Sequence, residues 1–147
     1  TMHHRILLLL SLMLLGVPLA QAEQMVRFDG YELHYNVSPS RLLTTPTAAR
    51  LGIVQAPNRA LVNVTVLKLQ ADGRSQPVTS QVQGQARNLM GQSVPLQFRT
   101  VIESDQPSAI AELRFDDEEL FHFELEVTPA GSDRGYPLRF DQQLFIE

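Results

Sequence analysis

From Glu23 onward apolar side chains return at every second position, a period that strands satisfy and amphipathic helices do not. Val62, Val64 and Val66 alternate with Asn63 and Thr65; Ala109, Ala111, Leu113 and Phe115 form a second such run, and Phe121, Phe123, Leu125 and Val127 a third. A strand with one oily face must bury it against another layer, so the chain is constrained toward packed sheets. There is no cysteine anywhere. Disulfides and thiolate metal sites are therefore excluded, and burial alone must hold the fold.

Turn chemistry marks where the strands end. Asp29-Gly30 supplies the residue types of a two-residue type I′ turn, and closing on it pairs Phe28 with Tyr31, Arg27 with Glu32 and Val26 with Leu33. Apolar side chains then share one face and opposite charges meet on the other. Pro39 and Pro46 interrupt the pattern. Thr45 as N-cap, Pro46 at the first helical position and Gly52 beyond Leu51 outline one short helical turn, expected to be a crossover outside the core.

Arg59 to Leu69 reads as a central strand ended by Asp72-Gly73, and Val78 to Leu89 alternates more weakly, with Gly84 expected at a bulge or bend. Asn88, Gly91 and Pro95 mark a reversal, after which Leu96 and Phe98 continue toward Ile102; Ser104 to Ser108 reads as a loop. The strand from Ala109 to Phe115 is expected to pair with the next one across the connection from Asp116 to Leu120, setting Phe115 opposite Phe121. After a loop between Pro129 and Pro137, Leu138 and Phe140 point inward, and a bulge near Gln142 and Gln143 is expected to return Leu144 and Ile146 to the core. These elements predict an all-β fold, an immunoglobulin-like antiparallel β-sandwich of seven to eight strands with one short helical turn. A small barrel is the main alternative, because periodicity does not decide closure.

The first 22 residues carry a different signal. Arg5, the apolar run from Ile6 to Val17, Pro18, and the small residues Ala20 and Ala22 have the three-part form of a secretory leader, expected to be helical and cleaved after Ala22. An uncleaved anchor is the alternative. The expected organisation is a signal peptide over 1–22 and a single sandwich domain over 23–147, touching a membrane only transiently through the leader. Removing 22 of the 147 residues leaves 11 basic against 16 acidic side chains, with Lys68 the only lysine. That mild acidity argues against nucleic acid as a partner, whose affinity comes mainly from neutralising phosphates.

Candidate chemistry is sparse, and neither a catalytic centre nor a cofactor is expected. Beyond the leader the only histidines are His34 and His122, both at outward strand positions. His122 and Glu124 share one strand face at the spacing of two metal ligands, a weak candidate because no third ligand lies nearby. The run Asp116 to Glu119 lacks the glycine and spaced ligands of a calcium loop and reads as a solvated hairpin tip. Gly91-Gln92-Ser93-Val94-Pro95 comes only superficially near a nucleophile elbow, with Pro95 where glycine is needed. Glu124 and Glu126 share an exposed face, where Arg114 is expected to balance them.

The leader, Tyr31-Glu32-Leu33-His34-Tyr35-Asn36, Leu51-Gly52-Ile53-Val54 leading to Asn58-Arg59, Asn88-Leu89-Met90-Gly91-Gln92, and the ending from Phe121 to Pro129 resemble a family of short exported proteins of Gram-negative bacteria, domain-of-unknown-function family 4426. The resemblance implies a periplasmic location and a β-sandwich and brings no catalytic residues. Within that pattern Asn36, Asn58, Arg59 and Asn88 are polar residues that burial does not explain, near strand ends or loops. One reading lines them along a rim that grips a partner chain or a carboxylate-bearing ligand, with Arg59 as anchoring donor. The other has the asparagines capping turns and Arg59 in an ordinary ion pair. The expected role is a non-enzymatic interaction or accessory module of the cell envelope with a protein partner there, and a homodimer through a sheet edge is possible. The alternative is a periplasmic carrier of a small ligand or metal.

Overall fold

The computed structural model describes residues 24–147, so the expected signal peptide lies outside the described residues. Ten strands are present among them: β1 (Gln24–Phe28), β2 (Tyr31–Pro39), β3 (Arg59–Leu69), β4 (Ser75–Val78), β5 (Ser80–Asn88), β6 (Ser93–Gln97), β7 (Arg99–Glu103), β8 (Gln106–Arg114), β9 (Glu119–Pro129) and β10 (Tyr136–Leu144). A 3₁₀ turn (Ser40–Leu42) and one helix, α1 (Thr45–Leu51), join β2 to β3. The larger sheet runs β1-β2-β3-β8-β7 and the smaller β10-β9-β5-β6, all pairs antiparallel. Because β2 lines one edge of β3, β8 and β4 share the other, at Arg59–Val64 and Val66–Leu69 respectively. The sandwich expected from alternation is therefore the observed fold.

Ten strands replace the expected seven to eight because the chain changes sheets at two points that periodicity does not mark. Between β4 and β5, at Thr79, it leaves the larger sheet for the smaller, and at Phe98, between β6 and β7, it returns. Phe98 still packs against the core, but beyond it the inward pattern fails: Ile102 is exposed, and Val101 packs on the opposite face of the sheet. Ser104 and Asp105, both at positive φ, make a two-residue turn, and Pro107 already pairs with Ile102 where a loop was expected.

The first hairpin has the register its turn dictates, with Phe28 opposite Tyr31, Arg27 opposite Glu32 and Val26 opposite Leu33. Asp29 and Gly30 adopt φ of 44° and 83°, as a type I′ turn requires. Arg27 donates to Glu32 at 3.1 Å on the outer face.

Between the sheets lies the main core, built from Leu33, Val62, Val64, Val66, Leu113, Phe115, Phe121, Phe123, Leu125, Val127 and Leu138 with their neighbours. Phe115 and Phe121 both belong to it, yet they are not a strand pair: β8 lies in the larger sheet and β9 in the smaller, so the Asp116 connection crosses between layers. At the other end of the alternation, no bulge forms near Gln142 and Gln143. The β9–β10 register is unbroken from Tyr136 opposite Val127 to Leu144 opposite Glu119. Gln142 simply occupies an inward position near the rim, where its amide still reaches solvent, and Ile146 remains exposed.

The helical turn is more than a crossover. Ala48 and Leu51 of α1 join Ile53, Leu61 and Ile110 in a second apolar cluster on the outer face of the larger sheet. Its N-cap is Thr44, one residue earlier than the Thr45 expected: the Thr44 hydroxyl accepts from the Thr47 amide at 3.3 Å. Gly52 closes the helix in the left-handed conformation, φ 68°. The Arg99 guanidinium of β7 donates to the Leu51 carbonyl, tying α1 to the sheet edge.

Candidate functional site

One end of the sandwich gathers the start of β3, the end of β8, the β5–β6 turn, the start of β9 and the tail after β10. The Phe115 amide donates to the Asn58 carbonyl at 2.9 Å, Gln143 Nε2 to the Glu118 carbonyl at 2.9 Å, and the Ile146 amide to Asp117 at 2.8 Å, closing these segments on one another. Asn58, Arg59 and Asn88 are brought together at this end. Asn36 is not; it stands exposed in the middle of β2, opposite Asn63.

Asn88 has a structural role that its sequence context foreshadows. Its Oδ1 accepts from the amides of Met90 at 3.1 Å and Gln92 at 2.9 Å, while its Nδ2 donates to Gln92 Oε1 at 2.8 Å and Glu119 Oε2 at 3.0 Å. Asn88 is thereby a nearly buried organiser of the β5–β6 turn, and that turn holds Leu89 and Met90 out in solvent at 73 % and 82 % exposure. Asn88→Ala is expected to destabilise the domain by about 2–3 kcal/mol, because four side-chain hydrogen bonds that hold the turn and tie it to β9 are lost together. Urea unfolding measures this; a loss under about 0.5 kcal/mol, the size of an ordinary surface change, would show that the backbone bonds of the turn suffice.

Arg59 opens β3 and stands in register directly opposite Arg114, the last residue of β8. Both lie at outward positions, and neither guanidinium makes a hydrogen bond or ion pair among the described residues. Like charges facing across a strand pair are unfavourable, so the pair is not explained by stability. Of the nearby acids, Glu119 Oε1 accepts from the Asp116 amide at 2.9 Å and its Oε2 from Asn88, and Asp117 caps the Ile146 amide, while the exposed Glu112, on the same outward face of β8 opposite Leu61, makes no ion pair with either arginine. The expected ion pair of Arg59 is thus absent among the described residues, and Arg114 does not balance Glu124 and Glu126. Glu124 sits 4.0 Å from Arg87, and Glu126 accepts from Gln83 at 3.3 Å.

Elsewhere the polar groups are largely paired. His34 Nε2 donates to Glu32 at 3.0 Å; that bond, helped by the Arg27 charge, holds the Glu32 carboxyl below its ordinary range against an opposing desolvation. Burial, reinforced by the Asp29 carboxylate that accepts from its hydroxyl at 3.1 Å, pushes the Tyr136 phenol up. Asn63 Oδ1 is buried without a hydrogen bond. His122 Nδ1–H donates to Asp141 at 2.5 Å, which draws the ring toward β10 and away from the expected Glu124 partnership. Among the described residues no three His, Cys, Asp or Glu side chains converge as a metal site. A cavity of about 300 Å³ opens at the side of the sandwich, lined by Ser80, Val82, Phe98, Arg99, Thr100 and Thr128, at the lower limit of ligand-sized pockets.

These features define a class: a cysteine-free two-sheet sandwich with a closed aromatic core, carrying at one end a facing arginine pair and the two most exposed large apolar side chains among the described residues. The chain belongs to the DUF4426 family, a domain of unknown function, whose family model matches residues 25–147. It is similar to the crystal structure of a DUF4426 family protein from Pseudomonas aeruginosa PAO1, with 28 % identity over 87 % of this chain and 98 % of that one and a TM-score of 0.76. The fold is also shared with FetP of uropathogenic Escherichia coli strain F11, expressed in the periplasm, at 10 % identity over 84 % and 93 % of the two chains and a TM-score of 0.61. A copper-bound variant of FetP gives 10 % identity, 86 % and 92 % coverage, and a TM-score of 0.59. A search of the curated proteins finds no match to the chain.

Sequence reading missed Arg114, Leu89 and Met90 as members of this end. Arg114 becomes visible only once β3 and β8 are paired, which no local signal specifies. Leu89 and Met90 were legible in principle, being two large apolar residues inside a turn marked by Asn88 and Gly91.

Proposed function

We propose that the chain is a non-enzymatic interaction module of the bacterial envelope, exported to the periplasm, that docks a protein partner through the Arg59–Arg114 end. The observation that carries this reading is the facing arginine pair, neither guanidinium of which makes an ion pair among the described residues. Two guanidinium forks side by side match an acidic segment of a partner, which would relieve their mutual repulsion. Leu89 and Met90, on the Asn88-braced turn of the smaller sheet, supply apolar contact at the same end of the sandwich at little cost in ordering. Similarity to a protein expressed in the periplasm and the export pattern of residues 1–22 support the location.

The test places a photo-crosslinking residue at Met90 in cells and compares Arg59 and Arg114 with their Glu replacements. The expected result is a discrete adduct that falls at least about tenfold in the R59E/R114E variant, since reversing charges at such a contact costs about 2–5 kcal/mol of binding. The variant should fold as well as the parent, because one like-charge pair replaces another on an outward face. An unchanged adduct would remove the arginines from the interface.

A metal carrier is the second reading, favoured by the His122–Asp141 pair and by the copper-bound state of FetP. The donors present among the described residues do not fit a copper or zinc centre, because no three of them converge where such centres take three or more from the protein. Stoichiometric metal in untagged protein purified from cells would reverse the ranking.

A further inference from the structure

We propose that β10 is a self-recognition edge, pairing antiparallel with β10 of a second copy about a two-fold axis at Phe140 and so continuing the smaller sheet from one molecule into the next. An edge strand leaves alternate amides and carbonyls unpaired and invites another strand unless it is blunted. The other edges are short or braced. β6 has five residues with Pro95 at its centre, and β1 has five. β7 also has five, with Arg99 bound to α1 and Glu103 held by Arg50 at 3.2 Å. β10 has nine residues, an unbroken register and no bulge, and its one proline, Pro137, lies near an end.

The sequence of β10 complements itself in this register. With Phe140 on the axis, Arg139 stands opposite Asp141 of the second copy, and symmetry makes the same pair twice. Leu138 faces Gln142, Tyr136 faces Leu144, and Pro137 faces Gln143, so inward residues meet inward residues and the cores of both copies lie on the same side of the joint sheet. Moving the axis two residues either way sets Arg139 against Pro137 or Phe145 and loses both ion pairs. Arg139 is exposed and makes no hydrogen bond or ion pair within its own chain among the described residues. Asp141 gives Oδ1 to His122, which leaves Oδ2 for the incoming guanidinium. The contact is isologous, as closed dimers require, and it lies in the smaller sheet, whereas Arg59 and Arg114 belong to the larger.

Sedimentation of the protein purified from cells expressing the full chain tests this. A reversible dimer is expected, and R139D should weaken it at least about tenfold, an opposed like charge having replaced each ion pair. D141R should act in the same direction, and the R139D/D141R swap should restore the parent's association. Because the chain has no cysteine, R139C/D141C should oxidise to a covalent dimer bridged between residues 139 and 141 of opposite copies. Both positions are exposed, so far-ultraviolet dichroism should be unchanged in every variant. A protein that stays monomeric at millimolar concentration, a swap that fails to restore association in a folded variant, or cross-links outside β10 would each overturn the proposal.

Discussion

Gly84→Ala is expected to cost about 4 kcal/mol or more, a large fraction of the stability of a domain this size. A methyl group built on Gly84 would meet the Glu124 carbonyl oxygen at 2.1 Å and the Leu125 Cα at 2.8 Å, both backbone atoms of the neighbouring strand. Neither can step aside without parting β5 from β9, and the residue's φ of 154° is one that side-chain-bearing residues avoid. Gly84 pairs in unbroken register with Leu96 on one side and Leu125 on the other, so the damage falls mid-sheet. Gly73→Ala is the control: its methyl would meet nothing within 4 Å, and only its φ of 83° is strained, a cost of about 1 kcal/mol. Urea unfolding of the two variants measures the difference, and a Gly84→Ala loss no larger than that of Gly73→Ala would show that the strands do not approach so closely.

Phe123→Ala is the second large effect, expected at about 4 kcal/mol and a fall of roughly 15 °C in Tm. Phe123 is 1 % exposed and lies at the centre of the aromatic core, stacked on Phe140 at 4.7 Å and tilted against Phe121 at 6.0 Å. Phe140 in turn meets Tyr35 of the other sheet at 4.4 Å, so one truncation opens a void where the two layers join. Strands pinned on both sides by backbone pairing collapse poorly into such a void, which places the loss toward the upper part of the range for large-to-small changes. Thermal unfolding followed by dichroism gives the value; a shift under about 5 °C would mean the neighbours refill the space.

What the sequence disclosed divides along local and non-local lines. The Asp29-Gly30 hairpin was readable to the residue because turn type and alternation lie within ten positions of each other. Membership of a sheet was not, since Thr79 and Phe98 interrupt no hydrophobic pattern and yet carry the chain from one layer to the other. Gly84 looked like a bulge because glycine weakens a strand, whereas the structure uses its missing side chain to let two backbones close. Gln142 suggested a slip of register because it is polar at an inward position, but near a rim an amide can face inward and still be hydrated. Asn88 was readable as a turn residue from its neighbours Gly91 and Gln92. The Arg59–Arg114 pairing, joining residues about 55 positions apart, was beyond any local rule.

The strand order has a kinetic consequence as well. β3 cannot complete its second edge until β8 has been made, and β5 waits for β9, so these two ladders close between segments remote in the chain. High contact order of this kind puts folding in the range of milliseconds to seconds. For that interval the polypeptide is still a thread, the form in which a translocation channel can take it.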